Sequence, residues 1–241
     1  MAGYDTASTI QSVYQAGRHE FGVAPNFWMR YFTPSPYADT LNSDAVNECR
    51  AAWSSGGPRI GCIMEPVQSR LASNSAAEGQ ADAQSFCAAV YSTFTTVHPL
   101  QLPTRGMLMC WLGQETGSRL SAGYWNGWAR TVESYRFAET GTRPLYAGLY
   151  CNPQAPAPNC TTVQVAGAVK CDAVWASEPE PCTKSVSKPP AWRAQHCTYI
   201  PTRLWQYAEK AACGLSANVD LDVGAPGFNN ANYCFHLSSS P

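Results

Sequence analysis

The sequence predicts an α/β fold, a single (β/α)8 barrel of the TIM type that takes up the whole chain, residues 1–241. Short apolar or β-branched runs alternate with longer segments of helical periodicity, a pattern typical of βα units around a parallel sheet. Eight such runs can be counted, and 241 residues is a usual length for one barrel domain.

The predicted strands are short and mostly apolar, and we expect all eight to be parallel. They cover residues 3–7, 27–32, 59–65, 106–112, 144–150, 169–176, 203–207 and 219–223. The three clearest helices, at 44–54, 77–97 and 120–139, carry apolar residues at three-to-four spacing. The connections at 151–161 and 178–201 are rich in Pro and Cys, so the C-terminal half should contain loops where a regular barrel has helices.

The charge balance excludes two classes of partner. Sixteen Lys and Arg stand against 17 Asp and Glu, a net charge of -1, which gives no electrostatic reason to expect nucleic acid or an anionic membrane surface. No apolar stretch reaches the roughly 18 residues of a membrane-spanning helix, so we expect no membrane insertion. The sequence does not indicate an oligomeric state.

Eleven cysteines without paired CxxC spacing indicate a disulfide framework formed in an oxidising compartment, and hence a secreted, extracellular protein. We expect four or five disulfides. Because spacing does not fix connectivity, pairs that bracket a loop are only candidates. These candidate pairs are Cys151 with Cys160, Cys182 with Cys197, and Cys213 with Cys234. Cys62, Cys87 and Cys110 lie in predicted strands or a predicted helix, where a free cysteine behaves as a small apolar side chain.

Acidic residues lie on strands or just past their ends, where the catalytic groups of TIM barrels are found. They are Asp5, Glu65, Glu115, Asp220 and Asp222. Glycoside hydrolysis needs two carboxyl groups about 5–10 Å apart, one protonated as general acid and one ionised. Four of the five also have a structural interpretation. Asp5 would suit a helix N-cap, the two carboxylates of strand eight share one face and would suit a hydrogen-bond network, and Glu115 would suit an exposed turn.

Aromatic residues near strand ends are the second group of candidates. Tyr31 and Trp175 are placed to stack against sugar rings, although aromatic residues in strands belong more often to the core.

Other chemistries lack their motifs. The chain has no GxSxG, HExxH, GxGxxG or GKS/T sequence, and its four histidines share no ligand spacing. We therefore predict neither a metal nor another cofactor.

Seven segments form a recognisable series along the chain. They are Gly3-Tyr4-Asp5-Thr6, Phe27-Trp28-Met29-Arg30-Tyr31-Phe32, Ile63-Met64-Glu65, Glu78-Gly79-Gln80-Ala81-Asp82-Ala83, Ala122-Gly123-Tyr124-Trp125-Asn126-Gly127, Leu204-Trp205-Gln206-Tyr207 and Val219-Asp220-Leu221-Asp222. Their order resembles the family 25 glycoside hydrolases, which are lysozyme-type muramidases, and the related glycoside-hydrolase-like domain of secreted bacterial proteins. The resemblance covers nearly the whole chain. The last two segments are the most specific.

The resemblance implies a secreted glycoside hydrolase that cleaves O-glycosidic bonds of a cell-wall polysaccharide such as peptidoglycan. It assigns the general acid to Glu115 and supporting catalytic roles to Asp5, Glu65 and Asp220. Contacts to the substrate would come from Arg30, Tyr31, Trp175, Gln206 and Asp222. One departure matters, because the family's fourth strand ends in Asp-x-Glu and this chain has Gly113-Gln114-Glu115. The alternative is a catalytically inactive carbohydrate-binding or cell-surface interaction module on the same fold.

Overall fold

Eight strands in sequential order close into one barrel, which confirms the predicted fold class. The computed structural model describes residues 2–6, 26–32, 59–95, 108–115, 119–135, 145–153, 159–165, 167–179, 190–195, 197, 199–209, 220–229 and 234. The strands are β1 (Ala2–Thr6), β2 (Phe27–Tyr31), β3 (Arg59–Met64), β4 (Leu108–Gly113), β5 (Leu145–Cys151), β6 (Ala173–Ser177), β7 (Thr202–Ala208) and β8 (Asp220–Gly224).

The last strand differs from the prediction in its direction. Neighbouring strands from β1 to β7 pair in parallel, whereas β8 pairs antiparallel with both β7 and β1. The expectation of eight parallel strands is therefore wrong for β8. Because β8 runs the other way, its first residue lies at the rim where the parallel strands end. The register confirms this, since Asp220 pairs with Asp5 and Asp222 with Gln206.

The helical layer contains α1 (Gln68–Leu71), α2 (Ala76–Thr95) and α3 (Ala122–Ser134), and a short 3-10 helix covers Asn159–Gln164. Helix α3 begins two residues later than predicted, because the Ser121 hydroxyl accepts a hydrogen bond from the Tyr124 N–H and caps it. The predicted helix at 44–54 lies outside the described residues.

The strand predicted at 169–176 begins only at Ala173. The backbone that precedes Ala173 makes other hydrogen bonds, since the Val169 N–H donates to Oδ1 of Asn126 on α3 at 2.7 Å.

Two layers of buried side chains fill the domain, and they alternate along each strand. The outer layer packs the barrel against α2 and α3 and includes Trp28, Phe86 and Trp128. The other cluster contains no helical residue and therefore fills the barrel interior, where Trp111 and Trp175 are two of its larger members. This alternation decides which side chains near the strand ends face the inside of the barrel.

Helices α2 and α3 touch along glycines. A Cβ atom at Gly127 would lie 2.0 Å from the Ala76 carbonyl oxygen, and one at Gly79 would lie 2.2 Å from the Tyr124 carbonyl oxygen. Both distances are far below van der Waals contact, so the close approach of the two backbones requires glycine at both positions.

The disulfide expectation is largely wrong. Cys160 pairs with Cys197, which rules out the candidate pairs of Cys160 with Cys151 and of Cys197 with Cys182. Six cysteines are free and buried, namely Cys62, Cys87, Cys110, Cys151, Cys171 and Cys234. Among the eight cysteines that the structure describes, Cys160 and Cys197 therefore form one disulfide and the other six none. Most of these thiols lie in strands or in α2, where they pack as apolar side chains.

Candidate active site

Five carboxyl groups from four strands or their ends lie together at one end of the barrel. Asp5 belongs to β1, Glu65 follows β3, Glu115 follows β4, and Asp220 and Asp222 belong to β8. Electrostatic coupling links them, because the charges of Asp220 and Glu115 act on Asp5 and those of Glu65 and Asp220 act on Glu115. The structure thus brings together all five carboxylates singled out from the sequence.

Asp5 and Asp222 form a buried carboxyl pair beneath the rim. They are 1% and 0% exposed, and burial raises the pKa of both groups. The hydrogen bond between them, together with the charge of Asp5, raises the pKa of Asp222 further, whereas the same bond lowers that of Asp5. Burial and the neighbouring carboxylates thus favour the protonated form at this pair. The Trp175 indole N–H donates to Asp222 Oδ1 at 2.8 Å and holds this carboxyl in place.

The Gln206 amide connects this pair to the rim. Its Nε2 donates to Asp5 Oδ2 at 2.9 Å and to Asp220 Oδ2 at 3.2 Å. Its Oε1 accepts from the Tyr150 hydroxyl and from the Ser177 hydroxyl, each at 2.9 Å. Both hydrogens and both lone pairs of the amide are thus in use inside the protein. Gln206 is 2% exposed, and it orients carboxylates instead of contacting a ligand.

Glu115 has the environment of a general acid. Burial raises its pKa to about 7, and the charges of Glu65, Glu209 and Asp220 contribute to the same effect. Burial also raises the pKa of Glu65. Both side chains are half-buried, so each is sheltered by the protein while remaining open to solvent. Glu209, which follows β7, is a contributor that the sequence analysis missed.

Two tyrosines lie among these carboxylates. Burial raises the pKa of Tyr31, and the charges of Asp5, Glu115 and Glu65 act in the same direction, which places this phenol amid the acidic cluster. Burial, Glu115 and Asp5 likewise raise the pKa of Tyr150. Tyr150 was not predicted, although its position as the last inward residue of β5 was a usable signal. Both phenols stay protonated and can donate hydrogen bonds.

Two predicted substrate contacts are placed elsewhere. Trp175 is fully buried, with its ring 6.1 Å from that of Trp111 and 4.7 Å from that of Tyr150, so no face of the indole is left for a sugar. Arg30 is 2% exposed and alternates with the inward-facing Tyr31 along β2, which puts its side chain on the outer face of the barrel with Trp28. Asp222 is buried under the rim, as described above.

No group of three or more His, Cys, Asp or Glu side chains in the described ranges is arranged to hold a metal ion. Over the same part of the chain, no helix is both long enough and apolar enough to cross a membrane.

Comparison with known proteins shows the fold alone. No protein-family model matches the chain, and no curated protein matches its sequence. Among solved structures, an uncharacterized B. stearothermophilus protein superposes with a TM-score of 0.66 at 21% identity, over 97% of this chain and 100% of its own.

Two further structures with the same fold carry functional descriptions. The Clostridium perfringens spore cortex lytic enzyme SleM has a TM-score of 0.57 at 13% identity, over 96% of this chain and 69% of that protein. The modular autolysin LytC of Streptococcus pneumoniae, solved with a synthetic peptidoglycan ligand, has a TM-score of 0.53 at 12% identity. That match covers 93% of this chain and 46% of LytC. The barrel of this chain is therefore similar to those of cell-wall lytic enzymes.

Proposed function

We propose that the protein is a glycoside hydrolase of the family 25 type, which cleaves O-glycosidic bonds in a cell-wall polysaccharide such as peptidoglycan. The observation that carries the proposal is the environment of Glu115. A general acid must be protonated at working pH, and burial beside Glu65 and Asp220 raises the pKa of Glu115 to about 7. A second carboxyl group, that of Asp5, belongs to the same cluster and accepts a hydrogen bond from Gln206.

In the proposed reaction, Glu115 gives its proton to the oxygen that leaves the sugar. Positive charge then develops on the ring carbon and its oxygen, as in an oxocarbenium ion. The oxygen of a water molecule forms the new bond to this carbon, and the proton that the water releases restores the acid form of Glu115. Gln206 holds the Asp5 and Asp220 carboxyl groups in place before the substrate binds, so they can stabilise that charge without reorganisation. Tyr31, half-buried at the rim, supplies an aromatic face or a hydroxyl to the sugar. No cofactor enters this scheme.

We infer an extracellular location for this activity. The Cys160–Cys197 disulfide is of a kind that persists in oxidising compartments, and a cell-wall polymer lies outside the membrane. SleM and LytC, by their descriptions, act on or bind such polymers, and this supports the same substrate class here.

The test compares wild type with Glu115→Gln on purified peptidoglycan, with the release of reducing ends as the readout. We expect the variant to lose at least about a hundredfold in rate, the usual scale for a positioned acid, while binding to the polymer in a pull-down is retained. Glu133→Gln is the matched control, since burial raises the pKa of this half-buried glutamate too but it lies on α3. Equal rates for wild type and Glu115→Gln would remove Glu115 from the mechanism.

A second candidate function is a carbohydrate-binding module without catalysis, and one observation favours it. Gly113 stands where the resembling enzymes have an Asp, and a Cβ atom at this position would lie 3.1 Å from the Met64 carbonyl oxygen, a tight approach. Against it, the Cα of Glu65 lies 3.7 Å from the same point, and the charge of Glu65 acts on Glu115. Binding of wild type to peptidoglycan without any release of reducing ends would select the module.

A further inference from the structure

Gln68, the first residue of α1, makes contacts that the mechanism above does not use. Its Oε1 accepts a hydrogen bond from the Glu115 N–H at 3.0 Å. Its Nε2 donates to the Gly113 carbonyl oxygen at 3.4 Å and to the Pro66 carbonyl oxygen at 3.2 Å. One side-chain amide thus joins the segment that follows Glu65 to the segment that carries Glu115.

These contacts continue the sheet past the point where its strands stop pairing. The β3–β4 ladder ends at Met64 opposite Leu112. In a parallel ladder, a residue bonds to the carbonyl before its partner and to the N–H after it. The Gln68 amide bonds to the carbonyl of residue 113 and the N–H of residue 115, as a strand residue opposite Gln114 would.

The β5 side holds the same segment. The Gln114 N–H donates to the Tyr150 carbonyl oxygen at 2.9 Å, and the Gln114 side chain is 2% exposed. The backbone of residues 113–115 is therefore hydrogen-bonded on both sides beyond the end of β4. Because strand residues alternate, burying Gln114 on one face turns Glu115 toward the other, where Glu65 and Asp220 lie.

We propose that Gln68 is a positioning residue, which sets the spacing of the Glu65 and Glu115 carboxyl groups by tying their two segments together. The inference rests on the proposed function for its catalytic meaning. The geometric part of the inference, that Gln68 sets the spacing of the two carboxyl groups, does not depend on the proposed function. Without the Gln68 amide, the Gly113 carbonyl oxygen and the Glu115 N–H lose their hydrogen bonds on the β3 side. Glu115 can then move toward solvent and away from Glu65.

The variant is Gln68→Met, which keeps the length of the side chain and removes its hydrogen bonds. Gln80→Met, at an exposed position on α2, is the matched control. The primary readout is the pKa of Glu115 in the unliganded protein, followed by NMR of labelled glutamate carboxyl carbons and assigned by the signal lost in Glu115→Gln. We expect Gln68→Met to lower this pKa from about 7 toward the usual range of a glutamate, and the control to leave it unchanged.

Enzyme kinetics give the second readout. We expect kcat to fall by about tenfold in Gln68→Met with little change in KM, as when a catalytic group is misplaced, and the alkaline limb of the pH–rate profile to move to lower pH. If Gln68→Met does not fold, Gln68→Ala carries the same expectations. An unchanged Glu115 pKa in a folded variant overturns the proposal. The titration needs no substrate, so it decides on Gln68 even if wild type hydrolyses no glycan and the proposed function fails.

Discussion

Glu115 ties the proposed chemistry to a measurable pH dependence. With its pKa raised to about 7, the group is protonated in slightly acidic solution and ionised in slightly alkaline solution. We expect glycan hydrolysis to fall as the pH rises through about 7, because the general acid is then lost. A pH–rate profile of kcat/KM from pH 4 to 9 checks this. A profile that stays flat between pH 6 and 8 would contradict the role of Glu115.

The same residue predicts a trend in stability. The folded state holds the Glu115 proton up to a higher pH than the unfolded chain does, so it binds more protons between the usual pKa of 4.5 and about 7. The free energy of unfolding must therefore fall as the pH rises through that window. Urea unfolding at pH 5 and pH 8 should show a larger loss for wild type than for Glu115→Gln. Equal losses in the two proteins would argue against a raised pKa.

Gln206 is predicted to matter more for stability than an ordinary buried amide. Gln206→Leu removes four hydrogen bonds and leaves two carboxylates and two hydroxyls without their partner. We expect a loss of about 2–5 kcal/mol in the free energy of unfolding, since buried polar groups left unsatisfied carry most of the cost. Urea unfolding measures it, with the exposed Gln80→Leu as the control. A loss under about 1 kcal/mol would mean that the network rearranges freely.

Among the elements, the α2–α3 contact offers a sharp test of packing. In Gly127→Ala the new methyl group would meet the Ala76 carbonyl oxygen at 2.0 Å, and the helices must separate to admit it. Overpacking of this kind costs about 1–3 kcal/mol. Arg130→Ala, an exposed position on the same helix, should change the thermal midpoint little. If Gly127→Ala is as stable as wild type, the two helices are not fixed at this distance.

The strands show what a single sequence does and does not determine. The apolar runs of β2 to β5 and the acidic strand ends were predictable, because burial on both faces of a sheet demands continuous hydrophobic residues. The direction of β8 was not, since Asp220-Leu221-Asp222 alternates identically whichever way the strand runs. Trp175 was misjudged for a related reason: alternation gives the face of a side chain but not its depth in the barrel. The contacts of Gln206 with Tyr150 and Ser177 join distant strands and have no local signal.

At the scale of the whole molecule, one disulfide closes a long loop. Cys160 and Cys197 are 37 residues apart, and on the chain-entropy model a loop of this length stabilises the fold by about 3–4 kcal/mol. Cys160→Ser combined with Cys197→Ser should lower the free energy of unfolding by about this amount. Alkylation after unfolding without reductant should label the six free cysteines and leave Cys160 and Cys197 unlabelled, and labelling of those two would contradict the disulfide assignment.

Hydrolysis of the O-glycosidic bond is the central claim, and the most direct measurement is mass analysis of peptidoglycan digested in H2(18)O. Cleavage by water through the proposed acid predicts glycan fragments whose new reducing ends each carry one (18)O atom, formed by wild type and not by Glu115→Gln. Fragments with an anhydro end and no label, label found on peptide carboxyl groups, or intact glycan after prolonged incubation with wild type would contradict the account.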